Sequence, residues 1–93
     1  MKTTANETYK TYNEVQGIKA SKRNWEVIIL VKRGDYFEAY EEDAKQLHEV
    51  LGLNIFNRKG CLLDIAGFHK DYLPYKLPTL LRAGRKVSIL HKA

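Results

Sequence analysis

The stretch VKRGDYFEAYEEDAK at residues 31–45 gathers most of the side chains in this chain whose types could do chemistry. Its YFEAY segment alternates, so a strand there presents Tyr36, Glu38 and Tyr40 on one face and Phe37 and Ala39 on the other. An aromatic ring and a carboxylate are thereby set side by side. Asp35, Glu38, Asp64 and the Asp43-Ala44-Lys45 triplet invite comparison with metal-dependent nucleases, in which an acidic cluster holds a divalent ion. The triplet falls on a predicted helix and not on a strand, which speaks against that chemistry. His48, His69, His91 and Cys61 lack metal-ligand spacing, so no metal or other cofactor is expected. No GxxxxGK[ST] loop is present, which excludes ATP hydrolysis by this chain. The expectation is a protein that is not an enzyme.

Sixteen Lys and Arg against eleven Asp and Glu leave a charge of +5, a weak pointer to a polyanion. The distribution says more than the total. Acids concentrate between Asp35 and Asp43, while bases gather at residues 19–23, at Lys32 and Arg33, at Arg58 and Lys59, and at residues 82–86. Ninety-three residues, 44% hydrophobic and 29% charged, describe one small globular domain over residues 1–93 with a modest core. The single Cys61 cannot form an internal disulfide, and no run approaches the roughly 18 apolar residues of a membrane span. The opening MKTTANETYKTY lacks the apolar segment of a secretory signal. A reducing cytoplasm and no membrane are expected.

The elements that must position these groups follow from periodicity. Asn6 is placed to cap a first helix carrying Tyr9, Tyr12 and Val15, ended by Gly17 and the basic SKR stretch, so residues 1–24 read as a helix and a basic turn. WEVIILV at residues 25–31 is apolar almost without interruption, as in a central strand buried on both faces. Gly34 and Asp35 make a turn into the hairpin partner YFEAY. From Glu41 the spacing turns helical, with Ala44, Leu47, Val50 and Leu51 on one stripe, acids in the first turn and Gly52 past the end. LNIFNR and LLDIAGF read as two strands joined by a turn at Lys59 and Gly60. Asp71 is placed to cap a third helix with Leu73, Leu77, Leu80 and Leu81 inward, kinked or split at Pro78 and closed by Gly84, before a last strand KVSIL. The fold class is α/β, a single small domain with a mixed β-sheet and helices packed on it.

These motifs, taken in order, resemble the N-terminal mismatch-recognition domain of the MutS family. In that family a strand runs into a glycine-aspartate turn, then phenylalanine, tyrosine and glutamate, then an acidic helix start. This chain has GDYFEAYEED there, with the two aromatics exchanged. The resemblance occupies about residues 25–90, through the VLGL helix end, Arg58, IAGF at residues 65–68, LLRAG at residues 80–84 and KVSI at residues 86–89.

The resemblance implies binding of double-stranded or mismatched DNA. The family's phenylalanine enters the minor groove and stacks on a mispaired base, and the glutamate two residues later hydrogen-bonds it. A mismatch has already lost pairing energy, so kinking there costs less than at a matched step. Tyr36 falls on the wedge position and Glu38 on the base-contacting one. Tyrosine keeps a stacking face, but its hydroxyl needs a partner when buried. Arg58 matches an arginine near the DNA backbone and Lys59 follows it, so both become candidates for phosphate contacts, as do Lys32 and Arg33 beside the hairpin. A second class stays open, in which the fold is reused as a protein-interaction or structural module, with other repair or mobile-element proteins as partners.

Overall fold

The computed structural model describes residues 3–92; Met1, Lys2 and Ala93, the outermost residues of the expected domain, lie outside the described residues. Four strands form one mixed sheet in the order β3-β2-β1-β4, with β1 at Ile28–Arg33, β2 at Tyr36–Tyr40, β3 at Ile65–His69 and β4 at Val87–Lys92. β1 pairs antiparallel with β2 and parallel with β4, and β2 pairs antiparallel with β3. The α/β class and the mixed sheet are as expected. The central strand starts later than residue 25, because Trp25 is exposed and Ile28 is the first residue in register with β4.

Ile28 through Val31 are all buried because each face of β1 meets its own cluster. On one face Ile28 and Leu30 join Phe37, Ala39, Ala66 and Phe68 beneath helices α2 (Glu42–Leu51) and α3 (Leu73–Arg82), which contribute Ala44, Leu47 and Leu80. On the other, Ile29, Val31, Tyr40 and Ile65 pack on Val15 of helix α1 (Ala5–Lys22). Two helices cover one face of the sheet and one helix covers part of the other.

α1 differs from expectation at both ends. Thr4 is its cap, accepting from the Glu7 backbone N–H at 3.1 Å, so Asn6 lies within the first turn. The helix runs through Gly17 to Lys22 and ends at Arg23 in a left-handed conformation, φ 50°. One glycine inside a helix costs about 1 kcal/mol against alanine, less than the roughly 1.5 to 3 kcal/mol gained by burying an apolar side chain such as Val15. The buried face is Thr8, Thr11, Val15 and Lys19, more polar than the aromatic spacing suggested. Both threonine hydroxyls donate back to the helix, Thr8 to the Thr4 carbonyl and Thr11 to that of Glu7, which lets them be buried.

The expected strand at residues 53–58 contracts to a single bridge, Phe56 with Ile65. The ladder stops because neighbouring groups have other partners. The Asp64 N–H donates to the Glu41 carboxylate at 3.0 Å, Glu41 N–H to the Asp64 carbonyl at 2.8 Å, and the Asn57 amide to the Leu63 carbonyl at 2.8 Å. The third helix is preceded by a short 3-10 turn at Lys70–Tyr72 that contains Asp71; His69 caps that turn, its ring nitrogen accepting from the Asp71 N–H, and α3 itself starts after Tyr72 with no side-chain cap. α3 is continuous through Pro78, and Leu81 is exposed where an inward position was expected.

Candidate nucleic-acid interface

At the hairpin end of the sheet a groove of about 650 Å³ opens, bordered by Glu7 in the first turn of α1. Tyr36, Glu38, Arg33 and Arg58 all line it, together with Phe56 and Gly67. The two-residue turn at Gly34 and Asp35 places Arg33 opposite Tyr36, with Gly34 at φ 61°. In β2 the alternation turns Phe37 and Ala39 to the two-helix cluster and Tyr40 to the α1 cluster, as the sequence indicates. Tyr36 and Glu38 share the face of Tyr40, and they differ sharply in exposure. Tyr36 is 56% exposed whereas Glu38 is 4% exposed.

Strand alternation predicts joint presentation of Glu38 and Tyr36, and the structure buries the Glu38 carboxylate among cations. Arg58 pairs with one oxygen, Arg33 Nε stands 3.7 Å from the other, and the Tyr40 hydroxyl donates to it at 3.1 Å. The arginines are tied in turn to α1, Arg58 to the Thr8 hydroxyl at 3.2 Å and Arg33 to the Thr11 hydroxyl. Burial, followed by the Glu38 charge, pushes the Tyr40 phenol well above its ordinary value, so it stays a donor to that carboxylate. Gly67, opposite Glu38 in the β2–β3 register, lets the β2 backbone approach closely. A Cβ there would approach the Phe37 carbonyl oxygen to 2.6 Å.

The other candidates separate. Lys59 is exposed in the turn after Arg58. Lys32 pairs with Phe37 in the register and lies on the opposite face from Arg33, its amine donating to the Gly34 carbonyl at 3.0 Å. Tyr36 meets the His69 ring edge-on at 5.3 Å between centroids, a neighbour implied only by the β2–β3 register. Phe56, 46% exposed with the Arg58 guanidinium 6.0 Å from its ring centre, is a groove residue that sequence reasoning assigned to a strand. Among the described residues no cluster of three His, Cys, Asp or Glu is placed to hold a metal ion, and no helix is long and apolar enough to cross a membrane.

The hairpin, the helix after it and a last strand are the elements that the motifs required, and the structure pairs that strand parallel to β1. The family model for MutS domain I matches residues 11–93. The chain belongs to the MutS domain I family. It is 37% identical over 67 residues to the DNA mismatch repair protein MutS of Bacteroides thetaiotaomicron, covering 69% of this chain and 8% of that protein. Against the MutS of Phocaeicola vulgatus the identity is 33% over 88 residues, 91% of this chain and 10% of that one. Against the MutS of Salinibacter ruber it is 34% over 77 residues, 80% and 8%. This MutS domain I thus spans a tenth or less of the length of these curated relatives. The family match begins within α1 at Thr11, the residue that bonds Arg33, and Thr8, which bonds Arg58, precedes it.

Proposed function

We propose that this domain binds double-stranded DNA and responds to mispaired or easily deformed sites by pressing Tyr36 into the minor groove, without catalysing a reaction of its own. The observation that carries the reading is the exposed Tyr36 ring at the free end of the hairpin, on the rim of a groove that also holds Glu38, Arg33 and Arg58. A wedge needs a rigid base, and the Tyr36 backbone has one, paired to Arg33 on one side and to His69 on the other. Glu38 retains acceptor capacity, since an ionised carboxylate offers about four lone-pair sites, and Arg58 and Tyr40 take two of them. Arg58 is committed to Glu38, so exposed Lys59 is the cleaner probe of phosphate contact.

Affinity for matched and G·T-mismatched duplex is measured by anisotropy across a salt series. Binding falls steeply with salt in proportion to the phosphates neutralised. Lys59→Ala weakens both duplexes about equally, and Tyr36→Ala removes the preference for the mismatch while sparing the common affinity. A mismatch preference that survives Tyr36→Ala rejects the wedge. The absence of DNA binding at low salt rejects the reading and favours a protein partner, for which Tyr72, Tyr75 and Leu81 lie exposed on and beside α3, away from the groove.

A further inference from the structure

β4 is the terminal strand in the order β3-β2-β1-β4, and among the described residues no other segment hydrogen-bonds its backbone from outside. The pairing with β1 tells which groups face outward. The Ile28 N–H donates to the Lys86 carbonyl at 2.8 Å, and Ile28 stands in parallel register with Val87. Successive residues of a strand point their backbone groups to opposite sides, so those of Ser88 and Leu90 serve β1. The N–H and C=O of Val87, Ile89 and His91 point away from the sheet. A six-residue edge with such groups unpaired is a template for another strand.

The side chains say which strand fits. Val87 packs on the two-helix cluster, so alternation puts Ile89, 36% exposed, on that face of the sheet. On the other face Leu90 packs on the α1 cluster, Ser88 and Lys22 line one small cavity, and Lys92 reaches Glu14 of α1 at 2.8 Å. Lys86 shares this second face by the same alternation. Lys22, Lys86 and Lys92 against Glu14 leave it a net charge of +2. An added strand therefore meets apolar contact on one side and cations on the other. A second copy of the chain is disfavoured. Antiparallel pairing centred on Ile89 sets Lys86 directly opposite Lys92 of the second copy at both ends, and like charges so placed are destabilising.

We infer that the β4 edge docks an extended acidic segment of a partner protein, one that alternates apolar and acidic residues and joins the sheet as a further strand. Main-chain hydrogen bonds to Val87, Ile89 and His91 hold it, and its alternate side chains give selectivity. No residue of β4 lines the groove of Tyr36, so this site stands apart from DNA binding and is tested independently of it.

The test measures, by anisotropy, a labelled peptide of alternating valine and glutamate against its valine-lysine counterpart. The acidic peptide binds and the basic one does not. Ile89→Pro removes an outward donor and leaves the β1 ladder intact, since proline is tolerated on an edge strand where its nitrogen faces solvent. Losing that hydrogen bond weakens the acidic peptide at least about fivefold, whereas Ile89→Val keeps its affinity. Circular dichroism shows that both variants fold. A second readout uses the wild-type protein alone, with acidic peptides N-methylated at every valine or at every glutamate. Alternate N–H groups of an added strand face the sheet, so one of these peptides loses binding and the other retains it. Equal binding of the acidic and basic peptides, no binding of either, undiminished affinity in Ile89→Pro, or an equal effect of the two methylation patterns overturns the inference. So does a wild-type dimer in sedimentation that Ile89→Pro dissociates, which assigns the edge to a second copy.

Discussion

Replacing Glu38 by glutamine removes one charge and almost no volume from the centre of the groove. The carboxylate is buried, and the side chains of Arg33 and Arg58 are only 13% and 21% exposed. At the 3.7 Å separation of Arg33 and Glu38, an effective dielectric of 20 gives a Coulomb attraction of about 4 kcal/mol, and water about 1 kcal/mol. Desolvation opposes this gain, and removing one partner of a buried pair costs about 3 to 5 kcal/mol in measured cases. Here the arginines recover some hydration and glutamine keeps an acceptor for Tyr40, so the expected loss is at the low side, about 2 kcal/mol. In a domain of this size that lowers Tm by about 8 to 16 °C. Urea denaturation followed by circular dichroism reads the same loss, which persists in 0.5 M salt because buried charges are poorly screened. Binding moves the other way. The Arg58 guanidinium loses its carboxylate while Arg33 keeps Glu7 at 3.7 Å, so one freed cation strengthens nonspecific duplex binding, and the salt slope steepens by about 0.9 for each added phosphate contact. A Glu38→Gln protein as stable as wild type, or one that binds matched duplex more weakly while folded, refutes this account of the groove.

Leu47→Ala, at a fully buried position, costs about 2 to 5 kcal/mol in urea denaturation, whereas Leu81→Ala, 53% exposed, stays within about 0.5 kcal/mol of wild type. In a spectrophotometric titration Tyr40 ionises above the ordinary tyrosine range. Its folded pKa lies above the unfolded value near 10, so its contribution is complete below that pH and is lost as pH rises toward the folded value. Lys19→Met leaves Asp43 buried without the ammonium now 2.6 Å away and costs about 3 kcal/mol at neutral pH. Burial already raises the Asp43 pKa against the pull of Lys19. In the variant, stability is therefore greatest below the unfolded carboxylate pKa and falls as pH rises through the raised folded one, a trend that urea midpoints across pH 3–8 measure.

Local periodicity by itself determined the hairpin and the second helix. GDY marks a two-residue turn, YFEAY alternates, and residues 42–51 carry one apolar stripe, so each element is specified by residues a few positions apart. The order of motifs also sufficed for the MutS resemblance, since the family pattern is linear. What the tertiary structure decided lies in polar groups paired across long sequence separations. Glu38 looks like a solvated strand residue until Arg58, 20 positions away, meets it in the fold. Asp43 reads as a first-turn acid favoured by the helix dipole, yet it is buried by Lys19 and by the Ile29 N–H. α1 hides its inner face in threonines whose hydroxyls bond its own carbonyls, which leaves almost no hydrophobic period to read. Phe56 left the strand pattern because Glu41, Asn57 and Asp64 took the hydrogen bonds that a ladder needed. Apolar burial repeats with the backbone period and is written locally, whereas a buried ion pair depends on a partner that only the folded chain brings within reach.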